Sequence, residues 1–363
     1  EAKPSTQASP LLYDLTTLQR EANSRFGFSA KTTLSIAQAL YEKHKVLTYP
    51  RTDSRALPED YVGVVKKTME MIAEEDLPGP LRELAVHARK ALKEDYVKPV
   101  KRVFDNAKVS DHFAIIPTLQ APRSLTEIEA KLYDMVVKRF IAVFYPSAEF
   151  QLTTRVSTVK AAGQEHRFQT NGKVLVNPGW LAVYGKEAQD DDANLVAVAP
   201  GEQVKASDVD VVALKTKPPA RYTEATLLSA MEGAGKLIDD DELREAMREK
   251  GLGTPATRAQ TIEGLIYEKY MLREGRELIP TAKAFQLMTL LRGLDIEDLT
   301  KPELTGDWEF KLAEMEHGRL KRDAFMAEIA QMAERIVKKA KEYDRDTIPG
   351  DYATLKVPCP NCG

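Results

Sequence analysis

The first part of the chain, about residues 11–145, has the hydrophobic spacing of helices. Apolar side chains recur there at intervals of three and four residues, which places them on one helix face. Ser29 stands at an N-cap position, so the pattern predicts a helix from there to Glu42. The apolar residues that share its buried face are Leu34, Ala37, Leu40 and Tyr41.

The helical pattern continues further along this part. Residues 80–93 show the same spacing and predict a second helix. Ser124 and Glu127 stand three residues apart, as in a capping box, and predict a helix that continues to about Phe144.

The pattern changes to alternation between Glu149 and Leu214. Short runs of alternating apolar and polar residues are separated by Gly and Asn/Asp clusters, which is typical of strands. The paired prolines of residues 217–220 end this β-rich region, because proline interrupts both ladders and helices. The predicted strand runs are 150–156, 173–176 and 211–214.

The last part returns to helical spacing. Thr254 and Pro255 form an N-cap followed by proline at the first helical position. Residues 270–280 predict a small hairpin, and helix followed by hairpin suggests a winged-helix unit, which serves as a DNA binder or as plain scaffold. Further helices are predicted near 303–313 and 320–343. The fold class is therefore α+β, mainly α.

Composition is that of an ordinary globular protein. The 363 residues are enough for two or three domains, with 43% hydrophobic and 29% charged residues. No apolar run is long enough for a membrane span, and no N-terminal signal is present, so we expect a cytoplasmic protein. Cys359 and Cys362 are the two cysteines, which excludes a disulfide framework.

Charge is unevenly distributed along the chain. The net charge of −3 argues against a generic nucleic-acid binder, but residues 20–55 hold seven basic residues against three acidic ones. A basic segment in an acidic protein marks a phosphate-facing surface or is simply a solvated helix face. The basic residues are Arg20, Arg25, Lys31, Lys43, Lys45, Arg51 and Arg55.

The segment Leu47–Ser54 carries the strongest candidate chemistry. Pro50 biases Tyr49 towards extended backbone, where alternate side chains share a face, so Tyr49, Arg51 and Asp53 are expected to project together. A phenol is a poor nucleophile at neutral pH. A guanidinium nearby favours the phenolate and also grips phosphate through paired hydrogen bonds. The alternative is an ordinary loop with a packed tyrosine and a solvated arginine.

Three motifs in order resemble the type IA DNA topoisomerases, in the form typical of the topoisomerase III branch. The first combines the runs 11–22, 27–34 and 37–41 with Thr-Tyr-Pro-Arg-Thr-Asp-Ser at 48–54. The second is Ser-Asp-His-Phe-Ala-Ile-Ile-Pro-Thr at 110–118, and the third is Gly-Leu-Gly-Thr-Pro-Ala-Thr-Arg at 251–258. Together the matches span about residues 10–345.

The resemblance implies catalytic roles for three residues. Tyr49 is implied as the nucleophile that forms a 5′-phosphotyrosyl link to single-stranded DNA. Arg51 is implied to hold the scissile phosphate and to stabilise the transition state. His112 aligns with a histidine that positions DNA, although a lone histidine is more often a satisfied polar residue or a helix cap.

Four further residues are predicted to contact DNA. Thr257 and Arg258 match backbone-contacting positions, with ordinary first-turn helix surface as the alternative. Lys31 lies in the basic segment. Asp53 either orients Arg51 or forms an Asx-turn.

The resemblance also implies cofactors and a domain order. Cys359 and Cys362 form half of a four-cysteine zinc site, incomplete here and expected to bind Zn²⁺ in a longer ribbon. Mg²⁺ is expected through a Toprim domain that matches nothing in this chain and is expected N-terminal to residue 1. No ATP is required. The predicted domains are a linker (1–9), a helical tyrosine domain (10–145), a β-rich arch (146–217), a helical base (218–345) and the start of a zinc ribbon (346–363).

The resulting functional prediction is an ATP-independent topoisomerase that cuts one DNA strand, passes another through the gap and reseals it. The isolated chain is expected to be inactive without the Toprim domain, and the alternative is a catalytically silent single-stranded DNA-binding fragment. Expected partners are single-stranded DNA and a helicase or single-strand-binding protein, with no membrane contact. We expect a monomer associated with the nucleoid or a plasmid. A tyrosine recombinase is disfavoured because its motif order is absent.

Overall fold

A computed structural model describes residues 1–74, 79–188, 198–205, 210–248 and 250–343. The chain divides into two compact units. The first unit comprises residues 1–14 and 36–219, and the second comprises residues 15–35 and 220–363. The fold is mainly helical α+β, as predicted.

Helices dominate both units. In the described residues they are α1 (Leu15–Phe26), α2 (Ala30–Glu42), α3 (Val62–Glu74), α4 (Leu84–Lys93), α5 (Glu127–Ala142), α6 (Glu224–Glu232), α7 (Asp241–Ala246), α8 (Pro255–Tyr267), α9 (Ala282–Gly293), α10 (Glu303–Glu316) and α11 (Arg322–Lys341). The strands are β1 (Ala2–Gln7), β2 (Ala148–Ala161), β3 (Gln164–Asn177), β4 (Met271–Glu274) and β5 (Glu277–Pro280).

The predicted start of α2 is confirmed by its cap. The Ser29 hydroxyl accepts a hydrogen bond from the Thr32 backbone N–H at 3.0 Å, which satisfies an amide that has no partner within the helix. The helix then ends at Glu42, as the spacing predicts.

The cap of α5 differs from its prediction. The predicted capping box of Ser124 and Glu127 is wrong, because the box is formed by Thr126 and Glu129. The Glu129 carboxylate accepts from the Thr126 backbone N–H at 2.8 Å and from the His44 ring at 3.1 Å. Burial raises the pKa of Glu129, but these hydrogen bonds outweigh it and leave that pKa below its usual value.

The core of the first unit is built by α5 and by helices that pack near it. The side chains of Leu40, Met69, Leu132 and Phe140 are fully buried. Burying an aliphatic or aromatic side chain of this size contributes about 1.5–3 kcal/mol each. The core thus provides a fixed base for the loops that follow α2.

A three-stranded antiparallel sheet in the order β1-β2-β3 belongs to the first unit. Strand β1 pairs with β2 from Ala2↔Thr153 to Gln7↔Ala148. The predicted linker at residues 1–9 is therefore wrong for Ala2–Gln7. The polar composition of this segment did not indicate strand β1, whose partner β2 lies far along the chain.

The β-rich region is confirmed in its first part. Strands β2 and β3 form a long hairpin over Ala148–Asn177. The predicted strand at 211–214 is wrong, since no strand is assigned in the described residues 210–219, which are exposed. An apolar alternating run without a neighbouring strand to pair with has no ladder to join.

The second unit contains the predicted helix-and-hairpin element. Helix α8 starts at Pro255 behind Thr254, and β4 and β5 pair from Met271↔Pro280 to Glu274↔Glu277. A small apolar cluster of Ala30, Leu228, Ala259 and Ile262 supports it. The two predicted C-terminal helices correspond to α10 and α11. Among the described residues, no helix is both long and apolar enough to cross a membrane.

Candidate active site

The segment Leu47–Ser54 lies in the first unit and alternates between buried and exposed side chains. Pro50, Thr52 and Ser54 are buried, whereas Arg51 and Asp53 are exposed and Tyr49 is half-buried. Arg51 and Asp53 therefore take alternate positions on the exposed side, whereas the backbone bends at Pro50 and Tyr49 before it is half-buried.

Hydrogen bonds fix this segment against residues 112–118. The Thr48 backbone N–H donates to the Ile116 carbonyl at 3.0 Å, and the Thr48 hydroxyl bridges the Ala114 carbonyl (3.0 Å) and the Ile116 N–H (2.9 Å). The Thr52 hydroxyl donates to the His112 carbonyl at 3.0 Å. The side chains that point inward thus tie the first two sequence motifs together.

The end of the segment is held in the same way. The Ser54 hydroxyl donates to the Lys108 carbonyl at 2.7 Å. Beyond it, Arg55 forms an ion pair with Asp14, whose carboxylate is buried. These contacts leave the backbone under Tyr49 little freedom, which pre-organises any group it carries.

The ring of Tyr49 lies in an aromatic cluster. Its centroid is 4.2 Å from that of His112, with the planes at 41°. It is also 5.5 Å from the ring of Tyr41, at 82° in an edge-on arrangement. Within the part of the chain that the structure describes, the Tyr49 hydroxyl has no hydrogen-bond partner. The phenol oxygen is therefore available to a ligand.

Three other tyrosines of the same unit have raised pKa values. Burial raises the pKa of Tyr145 to about 12, with a smaller contribution from Tyr96. Burial also raises the pKa of Tyr133 and, together with Asp60, that of Tyr61. A raised pKa disfavours the phenolate, so these hydroxyls are poor candidates for a nucleophile.

Arg51 is exposed and its guanidinium forms no hydrogen bond or ion pair with the described residues. A guanidinium in that state keeps its five donors for a ligand, and a phosphate suits their planar arrangement. Asp53 follows neither of its two predicted roles. Its carboxylate accepts a hydrogen bond from the Ser110 hydroxyl at 3.1 Å, which again joins the first motif to the second.

His112 lies on the ring of Tyr49. Its side chain is exposed, and its ring makes no hydrogen bond within the described residues. In the described part of the chain it is therefore neither a helix cap nor a satisfied polar residue, which were the two structural alternatives.

The remaining predicted DNA contacts belong to the second unit. Lys31 is exposed in the first turn of α2. Thr257 is part of the capping box of α8, where its hydroxyl accepts from the Thr254 N–H at 2.8 Å.

Arg258 departs from its prediction as a surface contact. It is 2% exposed, and its guanidinium donates to the carbonyls of Leu252 (3.1 Å) and Lys250 (2.8 Å) and to the Thr16 hydroxyl (2.9 Å). The arginine therefore stabilises the turn before α8, and in this conformation its donors do not face a ligand. The prediction that Arg258 contacts DNA is corrected accordingly.

The described residues provide no metal site. Within the described ranges, no group of three or more His, Cys, Asp or Glu side chains is arranged to hold a metal ion. Near the nucleophile segment, Asp14 is paired with Arg55 and Asp53 with Ser110. With their carboxylates already engaged, these residues do not fit a Mg²⁺ site. Cys359 and Cys362 lie outside the described residues.

Two residues that matter for this geometry were missed at the sequence level. Tyr41 was predicted only as part of an apolar helix face, and Thr52 was not singled out. A signal for Tyr41 was its position in the last turn of a helix shortly before the nucleophile segment.

Comparison with known proteins agrees with the motifs. The sequence profile of the DNA topoisomerase family matches residues 1–327. DNA topoisomerase 3 of Bacillus cereus is 39% identical over 376 aligned positions, which cover 100% of this chain and 49% of that protein. DNA topoisomerase 3 of Bacillus licheniformis is 40% identical over 369 positions, which cover 98% of this chain and 48% of that protein. The chain thus spans about half the length of the curated relatives it matches.

The fold is similar to a solved structure as well. Full-length topoisomerase I from Thermotoga maritima matches with a TM-score of 0.68 at 24% identity, covering 94% of this chain and 52% of that one. At this level of sequence identity the similarity supports a shared fold and nothing further. Because the family profile covers most of the chain and the relatives align along nearly all of it, the chain belongs to the type IA DNA topoisomerase family.

Proposed function

We propose that this chain carries the strand-cutting tyrosine of a topoisomerase III-like enzyme, with Tyr49 as the nucleophile. The observation that carries the proposal is that a half-buried phenol, without hydrogen-bond partners in the described residues, and an exposed guanidinium stand two positions apart on one segment. Both are held on a backbone fixed by Thr48 and Thr52. DNA binding follows from family membership, and single-stranded DNA is the proposed substrate.

The proposed step is a transesterification. The Tyr49 hydroxyl oxygen attacks the phosphorus and gives up its proton, while the bond from phosphorus to the 3′ oxygen breaks and that oxygen takes up a proton. The products are a 5′-phosphotyrosyl end and a free 3′-hydroxyl. One phosphoester replaces another, so the reverse attack reseals the strand and no ATP is consumed.

Two neighbours are proposed to assist. Arg51 holds the scissile phosphate through paired hydrogen bonds and stabilises the charge that develops on it. His112, whose ring touches that of Tyr49, is proposed to bind and position the DNA at the cut. Lys31 and Thr257 are proposed to contact the DNA backbone elsewhere.

The wider cycle is also a proposal. In it, the helical tyrosine domain (10–145) swings on the β-rich arch (146–217), and a second strand passes through the gap in the cut strand. Mg²⁺ is proposed to be held by a Toprim domain of the whole enzyme, and Zn²⁺ by a ribbon that includes Cys359 and Cys362. A helicase or a single-strand-binding protein is the proposed partner.

The experiment uses a polypeptide that contains this chain and also supplies the half of the relatives that it does not align with. A single-stranded oligonucleotide labelled at its 3′ end is expected to become covalently attached to the protein. The same oligonucleotide labelled at its 5′ end is expected to be released, shortened and with a free 3′-hydroxyl.

Tyr49→Phe is expected to abolish both products. The matched control is Tyr267→Phe, since Tyr267 is an exposed tyrosine of the second unit. An adduct formed by Tyr49→Phe rejects the assignment. Salt-dependent binding by the unaltered protein without any adduct favours the alternative, a module that binds single-stranded DNA and does not cut it.

A further inference from the structure

Tyr41 lies in the last turn of α2, eight positions before Tyr49 in the chain. The two rings meet edge-on, with centroids 5.5 Å apart and planes at 82°. This is a favoured geometry for an aromatic pair, because the positive ring edge of one partner faces the negative face of the other.

The end of α2 explains how the two tyrosines meet. The backbone N–H groups of His44 and Val46 donate back to the carbonyls of Ala39 (3.1 Å) and Leu40 (2.9 Å). Lys45 between them has a φ of 59°, in the left-handed region that commonly ends a helix. The chain therefore reverses directly after the helix.

The orientation of the Tyr49 ring depends on ring contacts. Its hydroxyl has no hydrogen-bond partner among the described residues, so no polar contact sets the ring angle. The two rings that touch it are His112, which is exposed and lies outside the helices, and Tyr41, which is anchored on α2 next to the fully buried Leu40. Of these two rings in the described residues, Tyr41 is half-buried and His112 is exposed.

We propose that Tyr41 is a positioning residue for the nucleophile. Perpendicular packing of its ring limits rotation of the Tyr49 phenol and keeps the hydroxyl oxygen in line with the phosphorus, while Tyr41 itself does not touch the DNA. The inference rests on the proposed function of Tyr49. The Tyr41 hydroxyl makes no hydrogen bond in the described part of the chain, so the contribution is that of the ring.

The test measures the single-turnover rate of adduct formation and, separately, the Kd for the same single-stranded oligonucleotide, in the full-length polypeptide described above. Tyr41→Leu removes the ring and is expected to lower the rate about tenfold to a hundredfold with an unchanged Kd, since small displacements of a reacting group have costs of this size. Tyr41→Phe keeps the ring and is expected to retain the rate.

The matched control is Tyr96→Leu. Tyr96 is also half-buried and in edge contact with another tyrosine, Tyr145, at 5.1 Å and 68°. Tyr96→Leu is expected to leave the rate of adduct formation unchanged. This control separates the positioning of Tyr49 from a general loss of packing in the fold. Should Tyr41→Leu fail to fold, Tyr41→Met provides the same comparison with a flexible side chain.

Several outcomes overturn the inference. They are a wild-type rate in Tyr41→Leu, an equal loss in Tyr41→Phe, a loss that appears in Kd alone, and an equal loss in Tyr96→Leu. An adduct formed by Tyr49→Phe overturns the proposed function itself. A silent Tyr49→Phe combined with a normal Tyr41→Leu removes only the role of Tyr41.

Discussion

Two arginines from the family motifs have opposite environments. Arg51 lies within the segment Leu47–Ser54, two positions after Tyr49, is exposed, and has no protein partner among the described residues. Arg258 ends the third motif, is 2% exposed, and donates hydrogen bonds to Leu252, Lys250 and Thr16. In sequence both looked like phosphate contacts.

The difference shows how a motif arginine can serve the fold or a ligand. Desolvating a guanidinium is costly, so a buried one persists only where acceptors surround it, and those acceptors then depend on it. An exposed guanidinium without protein acceptors pays no such cost and has its donors available. We therefore expect Arg258 to affect stability and Arg51 to affect chemistry.

The largest effect is expected for Arg258→Ala. The substitution leaves two backbone carbonyls and a buried hydroxyl without their donor, which costs roughly 3–5 kcal/mol of unfolding free energy. Urea denaturation of the purified chain measures it. The free energy of unfolding of Arg258→Lys is expected to lie between those of the unaltered chain and Arg258→Ala. An ammonium can replace some of the hydrogen bonds but lacks the planar arrangement that reaches all three acceptors.

The control for this prediction is Arg248→Ala. Arg248 is exposed and pairs with Glu245 at 3.0 Å, so its loss is expected to change stability by less than about 0.5 kcal/mol. The comparison breaks if Arg258→Ala is as stable as Arg248→Ala and instead loses affinity for DNA.

The next effect is expected for Arg51→Ala, and it concerns rate. Removal of a donor that stabilises transition-state charge typically lowers a rate by about 10²–10³-fold. The single-turnover rate of adduct formation measures this loss, whereas the free energy of unfolding from urea denaturation is expected to stay within about 0.5 kcal/mol of that of the unaltered chain.

Arg123→Ala is the matched control for Arg51→Ala. Arg123 is an exposed arginine of the same unit, outside the nucleophile segment, and the described residues provide it with no partner. An equal loss of rate in both variants means that general positive charge, rather than the position of Arg51, is what matters.

The sequence predicted the local features of the molecule well. The start and end of α2, the hairpin of residues 270–280 and the exposed alternation after Pro50 depend on neighbours within a few positions. The motif resemblance predicted the family, and the comparisons confirm it.

The features that sequence reasoning missed depend on distant parts of the chain. Arg258 is buried because it meets Thr16, 242 positions away, and Asp53 binds Ser110, 57 positions away. Strand β1 forms because β2 offers it a partner more than a hundred residues later. Spacing within a motif carries no information about long-range contacts. The burial of Arg258 and the partner of Asp53 therefore follow only from the structure.

The smallest effect is expected for Lys31, which extends the comparison to lysine. Lys31 is exposed and has no hydrogen bond or ion pair in the described residues, whereas Lys283 in the same unit donates to the Glu268 carbonyl at 2.7 Å and lies 4.2 Å from the Tyr270 ring centroid. Lys31→Ala is expected to reduce the salt dependence of single-stranded DNA binding by about 0.7 in log–log slope, the value for one phosphate contact.

Lys283→Ala is expected to leave the slope unchanged, because its ammonium is already engaged by the protein. Equal slopes for the two variants mean that a cation with protein partners still exchanges them for phosphate, and the distinction drawn between Arg51 and Arg258 then holds only for fully buried groups.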